Sequence, residues 1–173
     1  WQTILPNVTR RRLRIRYRRE RFELPDTDFV DVDWVKSVDQ ESRSRCCIVI
    51  HGLEGSSQAP YVKAMARTFD RANYAVGALN LRGCSGEPNR LERFYHSGDT
   101  VGLAEVMNRV AERYGEVYVV GFSLGGNVAL KYFGETSSCL PKPVRAVAAF
   151  SVPCELQGGS DSLAESGNRF YMK

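Results

Sequence analysis

The sequence has few histidines, no long apolar run and no visible signal peptide. Only two of its 173 residues are histidine, His51 and His96. None of its apolar runs approaches the roughly 20 residues that a membrane-spanning helix needs. No signal peptide is visible at Trp1, where a starting methionine is also missing. These absences argue against an integral membrane protein and leave the cytoplasm as the expected location.

The cysteines are irregularly spaced. The five cysteines are Cys46, Cys47, Cys84, Cys139 and Cys154. Their number is odd, and no pair has the spacing of a zinc site. We therefore expect small buried apolar side chains in a reducing compartment, with no metal or organic cofactor.

Charge is unevenly distributed in a chain whose formal net charge is +4. Arginine is concentrated near the start, at Arg10, Arg11, Arg12, Arg14, Arg16, Arg18, Arg19 and Arg21. Such a cluster can bind an anionic membrane or nucleic acid. No set of aromatic stacking residues accompanies it, so no specific nucleic-acid partner is expected. We interpret residues 1–20 as a solvated basic segment, with peripheral membrane contact through residues 10–21 as the alternative.

Residues 21–173 have the apolar pattern of an α/β domain. The segment Phe29–Val35 alternates apolar and acidic residues, which predicts a half-exposed strand in a leading β-hairpin; we interpret Asp31 and Asp33 as a solvent-facing row and not as a metal site. Continuous apolar runs at 46–50, 74–81, 116–120 and 144–150 predict buried strands. Helical patterns between these runs predict a mostly parallel central sheet with helices on both faces.

The most informative stretch is residues 119–127, where an apolar strand meets a helical pattern at Ser123. A strand-to-helix turn this sharp strains the serine backbone and needs neighbours without side chains, which Gly121 and Gly125 supply. The new helix directs its N-terminal N–H groups toward whatever Ser123 attacks. The context predicts a nucleophilic serine, and a capping serine in an ordinary turn is the alternative.

The loop that follows the first buried strand, residues 51–57, is rich in glycine and can approach a ligand closely. We predict that the N–H groups of Leu53 and Leu124 form an oxyanion hole. A catalytic triad built on such a serine turn has its residues in the chain order Ser, Asp, His. His51 precedes Ser123, so we expect it to support the loop by hydrogen bonding and not to act as the base. His96 is predicted to have a structural role in the loop after the next strand, with a substrate-facing role as the alternative.

Three motifs together resemble the YheT-like branch of the α/β hydrolases, the AB hydrolase 4 family. They are residues 51–57 (HGLEGSS), 82–90 (RGCSGEPNR) with the tail 95–98 (YHSG), and 121–127 (GFSLGGN). The resemblance implies an α/β-hydrolase fold and a serine carboxylic-ester hydrolase that acts on acyl esters or lipids.

The resemblance also implies a catalytic aspartate and histidine after later strands, yet no histidine follows His96. We therefore expect residues 21–173 to be an incomplete α/β-hydrolase domain whose catalytic Asp and His lie beyond its end. Such a piece should have little activity alone, since an unassisted serine hydroxyl is a poor nucleophile at neutral pH. The alternative is a catalytically inactive α/β-hydrolase-like binding module whose basic N-terminus docks on an anionic membrane or on nucleic acid.

Overall fold

The computed structural model describes residues 13–37 and 42–155, together with Gly158. Arg10, Arg11 and Arg12 of the predicted basic segment lie outside these residues. The strands are β1 (Tyr17–Glu23), β2 (Phe29–Val35), β3 (Arg45–Ile50), β4 (Ala75–Asn80), β5 (Glu116–Phe122) and β6 (Val144–Phe150). The helices are α1 (Pro60–Arg71), α2 (Val101–Arg113) and α3 (Leu124–Glu135). None of these three described helices has the length and apolarity needed to cross a lipid bilayer.

The six strands form one mostly parallel sheet, as predicted, in the order β1-β2-β4-β3-β5-β6. Strands β3, β4, β5 and β6 run parallel, whereas β2 is antiparallel to both of its neighbours. The pairing of β1 with β2 confirms the predicted leading hairpin. Because β1 begins at Tyr17, the boundary predicted at residue 20 falls inside this strand.

Helices cover both faces of the sheet, and the sheet separates the core into two apolar clusters. The first contains Val106 of α2 and Val128 of α3, and the second contains Val62 of α1. The central strand β3 contributes Cys46 to the first cluster and Cys47 to the second. Burial on both faces explains why the sequence of this strand is continuously apolar.

The cysteines differ in burial. Cys46 and Cys47 are buried and Cys84 is half-buried, whereas Cys139 and Cys154 are exposed. The expectation of buried cysteines is therefore wrong for the last two, because they lie in the segments that follow α3 and β6 and not in a strand.

Strand β2 is buried along its whole length, which contradicts the predicted half-exposed strand. The side chains of Asp31 and Asp33 are 0% and 3% exposed. Each carboxylate accepts two hydrogen bonds, at 2.8–3.1 Å, from an arginine of β1: Asp33 from Arg19 and Asp31 from Arg21. These arginines are the in-register partners of the two acids, so two charged rows neutralise each other across the hairpin.

The loops that follow β3, β4, β5 and β6 lie at one edge of the sheet, which we call the C-terminal edge. A buried ion-pair network ties the hairpin turn to this edge. Arg82, directly after β4, is 2% exposed and donates hydrogen bonds to Asp28 at 2.5 Å and to Asp26 at 2.7 Å. Its Nε lies 3.4 Å from Asp99, just before α2. Arg82 therefore joins both ends of the loop 82–99 to the β1–β2 turn.

Asp28 also holds the middle of this loop. One carboxylate oxygen accepts hydrogen bonds from Asn89 Nδ2 at 2.8 Å and from the Arg90 N–H at 3.0 Å. Burial by itself would raise the pKa of Asp28, but the hydrogen bonds from Asn89, Arg90 and Arg82 outweigh it and lower this pKa. The carboxylate therefore stays charged opposite Arg82.

Replacing Arg82 with methionine should lower the free energy of unfolding by about 3–5 kcal/mol, because buried carboxylates would lose their counter-charge. Urea denaturation followed by circular dichroism measures this loss. The matched control is Arg93→Met in the same loop, whose ion pair with Asp26 is exposed and 3.5 Å long. The control should lose no more than about 1 kcal/mol. Equal losses in the two variants would contradict the network.

Helix α3 begins so close to β3 that there is no room for a side chain at Gly125. A Cβ atom at this position would lie 2.2 Å from the carbonyl oxygen of His51 and 2.8 Å from Ile50 Cγ2. Gly134, near the other end of the same helix, has nothing within 4 Å of the corresponding position. The absence of a side chain at Gly125 thus sets the distance between helix and sheet.

Gly125→Ala and Gly134→Ala should therefore change stability in opposite directions. The first should destabilise the fold by about 1–3 kcal/mol or more, since the added methyl group meets backbone. The second should stabilise it by about 0.5–1 kcal/mol, because alanine is the better helix former. Urea midpoints of the two variants test this, and a stable Gly125→Ala protein would refute the close approach.

Candidate active site

Ser123 lies in the turn that joins β5 directly to α3. Its backbone has φ 50° and ψ −119°, a region that residues with a side chain rarely adopt. The Ser123 N–H donates to the carbonyl oxygen of Phe150 in β6 at 2.8 Å, and its carbonyl oxygen accepts from the Asn127 N–H at 3.1 Å. The sharp turn predicted from the sequence is therefore present, and hydrogen bonds to β6 and α3 hold it.

The loop after β3 passes directly beside this turn. A Cβ atom at Gly52 would lie 3.1 Å from Ser123 Cβ and 3.3 Å from the carbonyl oxygen of Phe122. The missing side chain lets the two main chains approach each other closely. The two segments that the sequence analysis assigned to one site are therefore neighbours at the C-terminal edge.

Three N–H groups of this loop, close to Leu53 in sequence, have hydrogen-bond partners inside the protein. The Gly52 N–H donates to the hydroxyl of Tyr61 at 3.0 Å, and the Glu54 N–H donates to the hydroxyl of Tyr95 at 2.7 Å. The Gly55 N–H donates back to the Gly52 carbonyl oxygen at 3.1 Å. Two tyrosines from different segments thus fix the loop on either side of one residue.

The N–H groups of Leu53 and Leu124 differ from these neighbours. Neither makes a hydrogen bond within the part of the chain that the structure describes. Leu53 follows Gly52, which lies against Ser123, and Leu124 follows Ser123 itself. One unpaired donor therefore follows the residue that contacts Ser123, and the other follows Ser123 in the chain. Unpaired N–H groups can donate hydrogen bonds to an oxygen on which negative charge develops.

His51 is buried, and both of its ring nitrogens have partners. Nε2 lies 3.1 Å from the Leu81 N–H, which can only donate, so this nitrogen is unprotonated. The proton is therefore on Nδ1, which donates to the Gly52 carbonyl oxygen at 2.7 Å. Burial lowers the pKa of His51, against the smaller opposing effect of the Gly52 carbonyl. A neutral ring held in this way supports the loop and has no nitrogen free for Ser123.

His96 is exposed, and its Nδ1 accepts a hydrogen bond from the Gly98 N–H at 3.2 Å within its own turn. It makes no hydrogen bond to Ser123. Among the described residues, no side chain or main-chain group hydrogen-bonds to the Ser123 hydroxyl. Neither of the two histidines therefore hydrogen-bonds to the serine.

The sequence analysis did not identify the two tyrosine hydroxyls as parts of the site. Nothing in the local sequence singled out Tyr61, and Tyr95 entered only as part of the 95–98 motif. The available signal was their position, since each stands in a segment that returns to the C-terminal edge near residues 51–57. Each hydroxyl accepts a hydrogen bond from one particular N–H group. Contacts between distant segments decide which group that is, and the sequence pattern does not reveal them.

Comparison with known proteins adds to this geometry. Residues 48–161 match the family model described as the alpha/beta hydrolase fold. YheT of Escherichia coli (strain K12), a provisionally named esterase, is 34% identical over 99% of this chain and 51% of its own length. Phospholipase ABHD3 of Bos taurus is 29% identical over 96% of this chain and 42% of its own length. The chain thus spans about half the length of the curated relatives it matches.

Solved structures give the same fold at low sequence identity. The Pyrococcus furiosus esterase Pf2001 superposes with a TM-score of 0.72 at 19% identity, over 88% of this chain and 58% of that one. An alpha-beta serine hydrolase homologue from Coxiella burnetii has a TM-score of 0.64 at 17% identity, over 83% of this chain and 66% of that one. Since the matched residues 48–161 include both the 51–57 loop and Ser123, the chain belongs to the α/β-hydrolase family and, within it, is similar to YheT.

Proposed function

We propose that this chain carries the nucleophile of a serine carboxylic-ester hydrolase that acts on acyl esters or lipids. The observation that supports the proposal is a strained turn that holds Ser123 beside Gly52, with no hydrogen-bond partner among the described residues for the N–H groups of the next residues, Leu53 and Leu124. The names of two relatives support the same class of reaction, since one is a provisionally named esterase and another a phospholipase.

The proposed reaction begins with attack of Ser123 Oγ on the carbonyl carbon of the ester. As the new C–O bond forms, the carbonyl oxygen becomes an oxyanion, to which the N–H groups of Leu53 and Leu124 donate hydrogen bonds. Each such donor contributes about 2.7–4 kcal/mol to the barrier reduction, and the N-terminus of α3 adds a partial positive charge. The alcohol then leaves with the serine proton, and water hydrolyses the acyl-enzyme.

The proton transfers in this scheme need a base. His51 has both nitrogens occupied, and His96 bonds within its own turn. We infer that the catalytic Asp and His lie beyond the end of this chain, as the resemblance to the YheT-like branch implies. The 173 residues would then form an incomplete α/β-hydrolase domain with little activity of its own.

Extending the chain past Lys173 with the segment that its own gene encodes should raise the hydrolysis of a chromogenic acyl ester by at least about 10³-fold, because the extension supplies the base. Ser123→Ala in the extended protein should abolish this gain. The matched control is Ser138→Ala, which alters an exposed serine after α3 and should keep it. A gain that survives Ser123→Ala would refute the assignment of the nucleophile.

A second candidate function is binding to an anionic membrane, with or without catalysis. Arg14, Arg16, Lys36 and Arg67 line a groove of about 370 Å³, and Asp70 is the one acid among the described residues that line it. Because β2 runs antiparallel to β4, Val35 and the following lysine lie at the edge of the sheet opposite the candidate active site. A membrane docked at this groove would leave the C-terminal edge accessible.

Not every arginine of the basic segment is available for this contact. The charges of Arg19 and Arg21 are used in ion pairs with Asp33 and Asp31. Arg21 pairs in addition with Glu87 at 2.6 Å. We therefore assign the membrane contact to the groove, where Arg14 and Arg16 have no ion pair in the described part of the chain.

The double variant Arg14→Ala, Arg16→Ala should weaken retention on phosphatidylserine vesicles about 30-fold, at roughly 1 kcal/mol per basic residue. Cosedimentation at low and high salt measures this, and wild-type retention should fall as salt rises. The control double variant Arg93→Ala, Arg109→Ala removes the same charge from exposed positions elsewhere and should change retention less. Equal weakening by both pairs would show a general charge effect and refute the groove. Retention without Ser123-dependent turnover in the extended protein would favour the inactive binding module.

A further inference from the structure

A groove of about 590 Å³ lies between the loop after β3 and the loop after β4, beside the candidate oxyanion hole. Its volume is within the range of about 300–1,000 Å³ that small-molecule sites occupy. Leu53 and Glu54 line one wall, and Cys84, Phe94 and Tyr95 line the other. No step of the proposed reaction uses this groove.

The groove is open to water, and its lining combines polar residues with several apolar side chains. Phe94 is 79% exposed and Leu53 is 63% exposed, although both are large apolar side chains. A single exposed apolar residue is ordinary. Two that face one groove, beside the half-buried Cys84 and Tyr95, form an apolar surface that a ligand could cover.

The one buried charge at the groove is already neutralised. Arg82 contributes to the lining, but its guanidinium is bound by Asp28, Asp26 and Asp99. Glu54 is exposed at the rim. With its arginine occupied, the groove offers no free cation to a phosphate or carboxylate, so an uncharged hydrocarbon chain is the group that fits it.

Leu53 connects this surface to the site of reaction. Its side chain lines the groove, its N–H is the proposed oxyanion donor, and Gly52 before it lies against Ser123. Tyr95 also belongs to both, because it lines the groove and its hydroxyl holds the Glu54 N–H. The groove and the proposed oxyanion donor therefore share the residue Leu53, so the groove adjoins the place where the ester carbonyl would bind.

We propose that this groove binds the apolar chain of the ester substrate and that Phe94 determines the preferred chain length. The inference rests on the proposed function, and it specifies the substrate as an ester with an uncharged hydrocarbon arm. Either the acyl group or the alcohol could supply that arm, and the two are separable by experiment.

The test uses the extended protein with two series of esters. One series varies the acyl chain from acetyl to decanoyl on a fixed small alcohol, and the other varies the alcohol from ethyl to decyl on a fixed acetyl group. Phe94→Ala should lower the ratio of kcat/KM for the longest to the shortest chain about tenfold in one series. The matched control, Leu91→Ala, changes another exposed apolar residue of the same loop that does not line the groove, and it should leave both ratios unchanged.

A loss confined to the acyl series places the acyl chain in the groove, and a loss confined to the alcohol series places the alcohol there. Unchanged ratios in both series, with the wild-type protein active, would overturn the inference and leave the proposed function intact. If the extended protein hydrolyses no ester, the proposed function fails. The groove is then tested by titrating the extended protein with decyl acetate in NMR, where no shift at Leu53 and Phe94 would overturn the inference.

Discussion

The contact between the first turn of α3 and the end of β3 leaves no space for a side chain at Gly125. Strand β5 lies next to β3 and must turn into α3 at this point, so the chain bends within one residue, Ser123. The same approach brings Gly52 against the serine. The position of the hydroxyl, the unpaired Leu124 N–H and the neighbouring loop are therefore consequences of one short distance between a helix and a sheet.

Hydrogen bonds from more distant segments then fix the loops around that bend. Tyr95 accepts the Glu54 N–H, and Tyr95 itself belongs to the loop that Arg82 joins to the hairpin turn through Asp28. A chain of contacts thus runs from β1 and β2, at the far side of the sheet, to the residue next to Leu53. Each group in this chain of contacts is buried or bonded to main chain, which restrains the loop.

The sheet, the helices and the turn at Ser123 could be predicted because each has a local signal: continuous apolar runs, helical spacing, and glycines on both sides of a serine. The predicted burial is wrong for the run at 144–150, because β6 is an edge strand of the described sheet and all of its residues are exposed or half-buried. The burial of Asp31 and Asp33 could not be predicted, since an acidic row with a period of two looks the same whether it faces water or arginines. The available signal was the matching period of Arg19 and Arg21 in the preceding strand. The hydroxyl partners of the loop depend on contacts between Gly52 and Tyr61 and between Glu54 and Tyr95, which no local pattern encodes.

The backbone angles of Ser123 lower the stability of the fold at the same residue that is proposed as the nucleophile. Glycine adopts such angles without strain, whereas a residue with a Cβ atom loses about 1–3 kcal/mol there. Selection for folding alone would therefore favour the replacement of this serine by glycine, because the replacement increases stability. Without selection for the proposed reaction, a lineage would therefore lose this hydroxyl before it lost the fold.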